Sequence, residues 1–163
     1  MRTLFILFFV LMALNLNAQE ISAGAASKVT AVSFRLKPHQ DLKIALDEYA
    51  KKHKIKAAFI FTCVGSLEQA ALRYANQSGT DTLSGHFEIV SLTGTLAESG
   101  SHLHISISDS TGKTIGGHLK EGSLIYTTAE IVIGILPDLV FDKEVDSTYG
   151  YKELLIRKKD KTD

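Results

Sequence analysis

The sequence predicts an α+β domain in which a mostly antiparallel sheet is covered by one main helix. Two observations carry that expectation. A single stretch near the start of the domain has apolar residues at helical spacing. After it, short apolar or alternating segments follow one another, separated by Gly, Ser, Asp or Pro, as in strands joined by turns. No internal repeat divides the chain.

The 163-residue chain begins with an unbroken apolar run, Leu4 to Leu14, behind a start carrying only Arg2. About eleven residues cannot cross a bilayer core, but they suit the apolar segment of an export signal. Asn15, Leu16 and Asn17 then lead to the small residue Ala18. Residues 1–18 are therefore expected to be a signal peptide, and the mature protein to be periplasmic or secreted, with no membrane segment. About 145 residues remain, enough for one domain with a real core. Lys plus Arg and Asp plus Glu balance at 18 each, so the chain lacks the broad basic field of non-specific nucleic-acid binding. Cys63 is the one cysteine and excludes an internal disulfide; within an apolar run it reads as a core residue.

Residues 19–28 are mostly small and polar, a linker into a domain expected at 29–157. Thr30, Val32, Phe34 and Leu36 alternate as a first strand, which Pro38 ends. Leu42, Ala45, Leu46, Tyr49 and Ala50 then share one side of a helix from about Asp41 to His53, with Lys43, Asp47, Glu48, Lys51 and Lys52 opposite. Ala57–Val64 reads as a strand buried on both faces. Gly65-Ser66 reads as its break, Gln69–Ala75 as the returning strand, and residues 76–81 as a turn-rich loop. Further strands are expected at Phe87–Gly94, His102–Ser108, Thr114–Leu119, Ser123–Ile133 and Tyr151–Ile156. The charged residues 158–163 read as a solvated tail.

Three of the six histidines, His102, His104 and His118, fall within seventeen positions. Residues two apart in a strand share a face, so His102 and His104 stand side by side. If Asp109–Lys113 is a hairpin connection with Gly112 in the left-handed conformation, facing positions sum to 222 and His104 falls opposite His118. A loop one residue shorter or longer would turn His118 away unless a bulge at Gly116-Gly117 restored it. Three neutral imidazoles with one position left open form the ligand set of a catalytic divalent site, zinc above all. The plainer reading is a group of half-buried polar strand residues. His39, His53 and His86 share no such geometry.

The segments Gly85-His86-Phe87-Glu88-Ile89-Val90-Ser91-Leu92-Thr93-Gly94, His102-Leu103-His104-Ile105-Ser106-Ile107-Ser108-Asp109 and Ile115-Gly116-Gly117-His118-Leu119 closely resemble the plants-and-prokaryotes-conserved (PPC) domain. Arg35-Leu36, Val64-Gly65-Ser66-Leu67 and Thr128-Ala129-Glu130-Ile131-Val132 extend the likeness to about residues 32–140. The resemblance implies an α+β homotrimer assembled through its sheets, with a metal, usually zinc, at the positions of His102, His104 and His118. It also implies an architecture similar to acetolactate decarboxylase, a three-histidine zinc enzyme. Where the family typically has Gly after Pro, this chain has His39, so the turn before the helix is expected to be built differently. Plant members carry DNA-binding AT-hooks outside the domain. None occurs here, so nucleic acid is not an expected partner.

Glu88 and Glu130 stand in otherwise apolar strands, where a carboxylate must be paired, metal-bound or protonated. Each is a candidate general base or orienter of a metal ligand, and equally a candidate for a structural hydrogen bond or a subunit contact. Arg35 is a candidate for receiving a substrate carboxylate or for an ion pair. The functional expectation is an exported homotrimer that holds a divalent metal and binds a small molecule, with lyase or hydrolase chemistry in view. The alternative is a non-enzymatic interaction module, or a DNA-binding one like the plant relatives.

Overall fold

The computed structural model describes residues 24–160. The expected signal peptide and the first part of the linker lie outside the described residues. Within them the chain runs β1 (Thr30–Leu36), α1 (Leu42–Lys52), β2 (Ala58–Arg73), β3 (Asp81–Ala97), β4 (Gly100–Ser108), β5 (Thr114–Leu119), β6 (Leu124–Ile135), β7 (Leu139–Val145) and β8 (Lys152–Lys158). The first six strands form one antiparallel sheet in the order β1-β6-β2-β3-β4-β5. The expected mostly antiparallel sheet with a single helix is the observed architecture.

The helix forms where the spacing places it. Asp41 caps it, its Oδ1 accepting from the Ile44 amide at 3.0 Å. Leu42, Leu46 and Ala50 are fully buried, in one apolar cluster with Leu96, Leu103, Ile131 and other inward strand residues. Removing such a Leu side chain from water is worth roughly 1.5–3 kcal/mol. Tyr49 stacks on Phe34 of β1 at 4.5 Å between ring centroids, closing one end of the core.

The strands differ from expectation in four places. β2 is one 16-residue strand that runs through Gly65-Ser66. Gly65 allows β6 to come close, because a Cβ there would lie 2.0 Å from the Thr128 carbonyl oxygen. β2 is also not buried on both faces: Phe61 and Val64 are exposed, while Ile60, Cys63 and Leu67 point into the core. β3 begins at Asp81, at the end of the expected loop, where Asp81 pairs with Leu72. Beyond β6, β7 was not foreseen. It pairs with β8 as a separate two-stranded sheet that packs through Leu139 and Phe141 on Ala57 and Ala97.

The turn before α1, where His39 stands after Pro38, is built on His39. That residue takes the left-handed conformation itself, at φ 67°, and its Nδ1 lies 2.7 Å from Glu68 Oε1. The two ends of the described chain meet at Asp138. Its Oδ2 accepts from the Lys28 amide at 3.1 Å, and its carbonyl accepts from the Lys159 amide at 2.9 Å. The charged end is therefore anchored through Lys159 rather than frayed from 158.

One further pairing positions the site. The end of β2 also pairs with β5, Leu72 opposite Leu119 and Arg73 opposite His118. Strands β2, β3, β4 and β5 thus close on one another as a small barrel at one end of the sheet.

Candidate metal centre

In β4, Leu103, Ile105 and Ile107 are buried, and the alternate residues His102 and His104 project to the opposite, open face. The β4–β5 turn sets the third histidine. Asp109 and Lys113 bracket it, with the Asp109 amide donating to the Lys113 carbonyl at 3.0 Å and Gly112 at φ 83°. Asp109 Oδ1 accepts from the Thr111 hydroxyl and from the Thr111 and Lys113 amides. These hydrogen bonds hold the carboxyl below the usual carboxylate range. The register that follows pairs Ser108 with Thr114 and His104 with His118, without a bulge. The facing pairs counted from the sequence are the pairs observed.

Gly116 and Gly117 serve close approach instead of a bulge. A Cβ on Gly117 would lie 2.8 Å from the Arg73 carbonyl oxygen, and one on Gly116 2.7 Å from that of Ile105. The row Thr93, His104, His118, Arg73 therefore crosses four strands on one face of the small barrel.

His104 Nε2 lies 3.1 Å from His102 Nε2 and 3.1 Å from His118 Nδ1. All three ligand nitrogens fall within 4.8 Å of one another. The His102 and His118 rings are nearly parallel, 5.2 Å apart, and His104 stands edge-on to both. Tetrahedral zinc with Zn–N bonds near 2.0–2.1 Å sets its ligand nitrogens roughly 3.3 Å apart, close to the two observed separations. The donor chemistry agrees. A neutral ring nitrogen has one proton or one lone pair, so His104 Nε2 cannot make a good hydrogen bond to both neighbours. One shared cation would satisfy all three. Burial, followed by the neighbouring charge of His104, then Lys143, lowers the His102 pKa below its ordinary value. Burial and the Arg73 guanidinium lower that of His118. Both rings therefore favour the neutral form that ligates metal.

Beside the triad lies an open groove of about 400 Å³, lined by Arg73, Ser91, Thr93, His104, Ser106 and His118 among others. Hydroxyls of Ser91, Thr93 and Ser106 and the Arg73 guanidinium share this groove with His104 and His118.

The other predicted candidates sit elsewhere. Glu88 and Glu130 are exposed rather than enclosed among apolar neighbours. Glu130 stands on β6 between Arg35 and Val64, three strand spacings or roughly 14 Å from β4. Glu88 is five residues along β3 from Thr93, roughly 16 Å. Within one chain neither carboxylate reaches the histidines, and Arg35 lies farther out on the edge strand β1. Sequence reasoning missed Arg73. It comes to the site only through the β2–β5 closure, which no local pattern announces.

The model of the Plants and Prokaryotes Conserved (PCC) domain matches residues 23–137. The chain belongs to this family. Its three clustered histidines and Arg73 all lie inside the matched stretch, and β7 and β8 lie beyond it. The chain is 47% identical over 123 residues to a bifunctional protein GlmU of a Synechococcus strain, an alignment covering 76% of this chain and 20% of that protein. It thus spans about a fifth of the length of that relative. A hypothetical protein from Salmonella has a similar structure, with TM-score 0.81 and 42% identity over 82% of this chain and 97% of that one. A metal-containing protein from Archaeoglobus fulgidus shares the fold at TM-score 0.69 and 24% identity, covering 80% and 96%. So does a protein of Bacteroides thetaiotaomicron named as a candidate DNA-binding protein, at 0.67 and 19%, covering 78% and 96%.

Proposed function

We propose that this PCC-domain protein is an exported homotrimer in which His102, His104 and His118 hold one divalent ion, zinc by ligand type, and present its open position to a small molecule. The observation that carries this reading is the convergence of three ring nitrogens within 4.8 Å. The metal-containing Archaeoglobus relative supports it. When bound, the ion would supply a Lewis acid or a metal-bound water at the groove. The chain's own part is to hold three neutral imidazoles on rigid strands and to line the groove with hydroxyls. Support for assembly comes from the open sheet face, where Phe61 is 62% exposed and Val90 57%. Apolar residues of that size on an uncovered sheet suit an interface between copies.

Metal analysis of protein purified without a histidine tag tests the reading. One equivalent per chain is expected, lost in His104→Ala. Much less than one equivalent in the wild type, or content unchanged by the substitution, refutes it. Sedimentation of the same preparation tests the trimer, and the N-terminal sequence of exported material tests cleavage after Ala18.

A second reading is nucleic-acid binding, favoured by the names of the Bacteroides protein and of a Ralstonia eutropha neighbour. The equal count of acidic and basic residues opposes it. Duplex binding that weakens steeply with salt would support this second reading over the first.

A further inference from the structure

We propose that the groove beside the histidines binds a small oxyanion, one oxygen taking the open coordination position and another resting on the Arg73 guanidinium. The proposal rests on the metal reading above and adds the class of ligand.

The β2–β5 closure sets Arg73 directly opposite His118, so both side chains leave the same face. Arg73 is half-buried and lines the groove. One Nη1 hydrogen bond, to the Gln77 carbonyl at 3.2 Å, steadies it. Among the described residues no carboxylate forms an ion pair with it. A half-buried guanidinium left without an anionic partner and turned toward a metal site calls for an anion there. Its planar fork suits the paired oxygens of a carboxylate or phosphate. The neighbouring rungs add neutral donors: Thr93 opposite His104, and Ser91 opposite Ser106. Gly116, opposite Ser106, leaves that wall as bare backbone. The groove, about 400 Å³ and open, suits a ligand of small-molecule size.

The test uses the full chain loaded with cobalt(II), whose visible absorption reports the metal's ligands without any activity. Acetate, inorganic phosphate and chloride are titrated separately. Acetate or phosphate should shift the spectrum saturably, and the tighter of the two tells whether the source is a carboxylate or a phosphate compound. Arg73→Gln should weaken that binding about tenfold or more while cobalt stoichiometry is unchanged. Chloride, a single atom with no oxygen pair to offer the fork, should lose less. Arg73→Lys keeps the charge but not the fork and should fall between, which serves if the Gln variant does not fold. Oxyanion affinity equal to wild type in either variant, or a wild-type spectrum indifferent to both oxyanions, overturns the proposal while leaving the metal site standing. Failure to take up cobalt at all overturns the metal reading, and this proposal with it.

Discussion

Alanine at Gly94 should destabilise the fold far more than alanine at Gly85, although the two glycines share nearly the same backbone angle. Their φ values are +138° and +143°, a region where an L side chain is strained by about 1–3 kcal/mol. That strain is common to both substitutions. What differs is space. A Cβ at Gly85 meets only the Phe87 ring, at 3.4 Å, whereas one at Gly94 stands 1.9 Å from the His102 carbonyl oxygen. A relaxed carbon–oxygen contact is about 3.3 Å, so β3 and β4 would have to part by roughly 1.4 Å. Gly94 faces Leu103, between the Thr93–His104 and Thr95–His102 pairs. Losing two ladder hydrogen bonds there at about 1 kcal/mol each places Gly94→Ala at least about 2 kcal/mol beyond Gly85→Ala. Urea unfolding at one fixed protein concentration reads the difference as a shift in midpoint at matched slope. Equal midpoints would refute the close approach of β3 to β4. Because His102 and His104 flank the same point, the divalent-metal affinity proposed for them should fall in Gly94→Ala and hold in Gly85→Ala.

Metal-free protein should lose thermal stability as pH drops below about 6.5. His102 and His118 have lowered folded-state pKa values, so the unfolded chain binds protons first and stability rises with pH across that window. Melting curves between pH 7.5 and 5 check this, and a His102→Gln/His118→Gln double variant should show a flatter slope. Cys63 is 3% exposed and burial pushes its thiol up to about 12, so a thiol reagent at pH 8 should leave the folded protein unlabelled and modify it fully in denaturant. His39→Gly should stabilise by about 0.5–1 kcal/mol, since relief of the left-handed strain outweighs an exposed contact to Glu68 worth a few tenths; a lower urea midpoint would contradict this.

The site was more legible in the sequence than the sheet around it, and the reason is the range of the interactions. The spacing of His102 and His104 is set by strand geometry, and His118 by a turn whose Asp109 and Gly112 advertise it, so three clustered imidazoles could be placed by counting. The helix was legible because its capping Asp41 and its apolar stripe are local. Gly65 was misread because a glycine that admits a neighbouring backbone looks the same in sequence as one that ends a strand. The surroundings of Glu88 and Glu130 were misjudged for a similar reason. Apolar neighbours such as Val64 and Val90 point out from the same uncovered face, so an apolar strand did not mean an enclosed carboxylate. Arg73 depends on a contact across 45 positions of chain, to His118, and only the closed sheet reveals it.

Asp138 has a use beyond tying down two amides. By receiving residue 28 through its side chain and residue 159 through its backbone, it makes the domain's entrance and exit the same doorway. Such a unit can be spliced into a surface loop of a host protein without spreading the host's own ends.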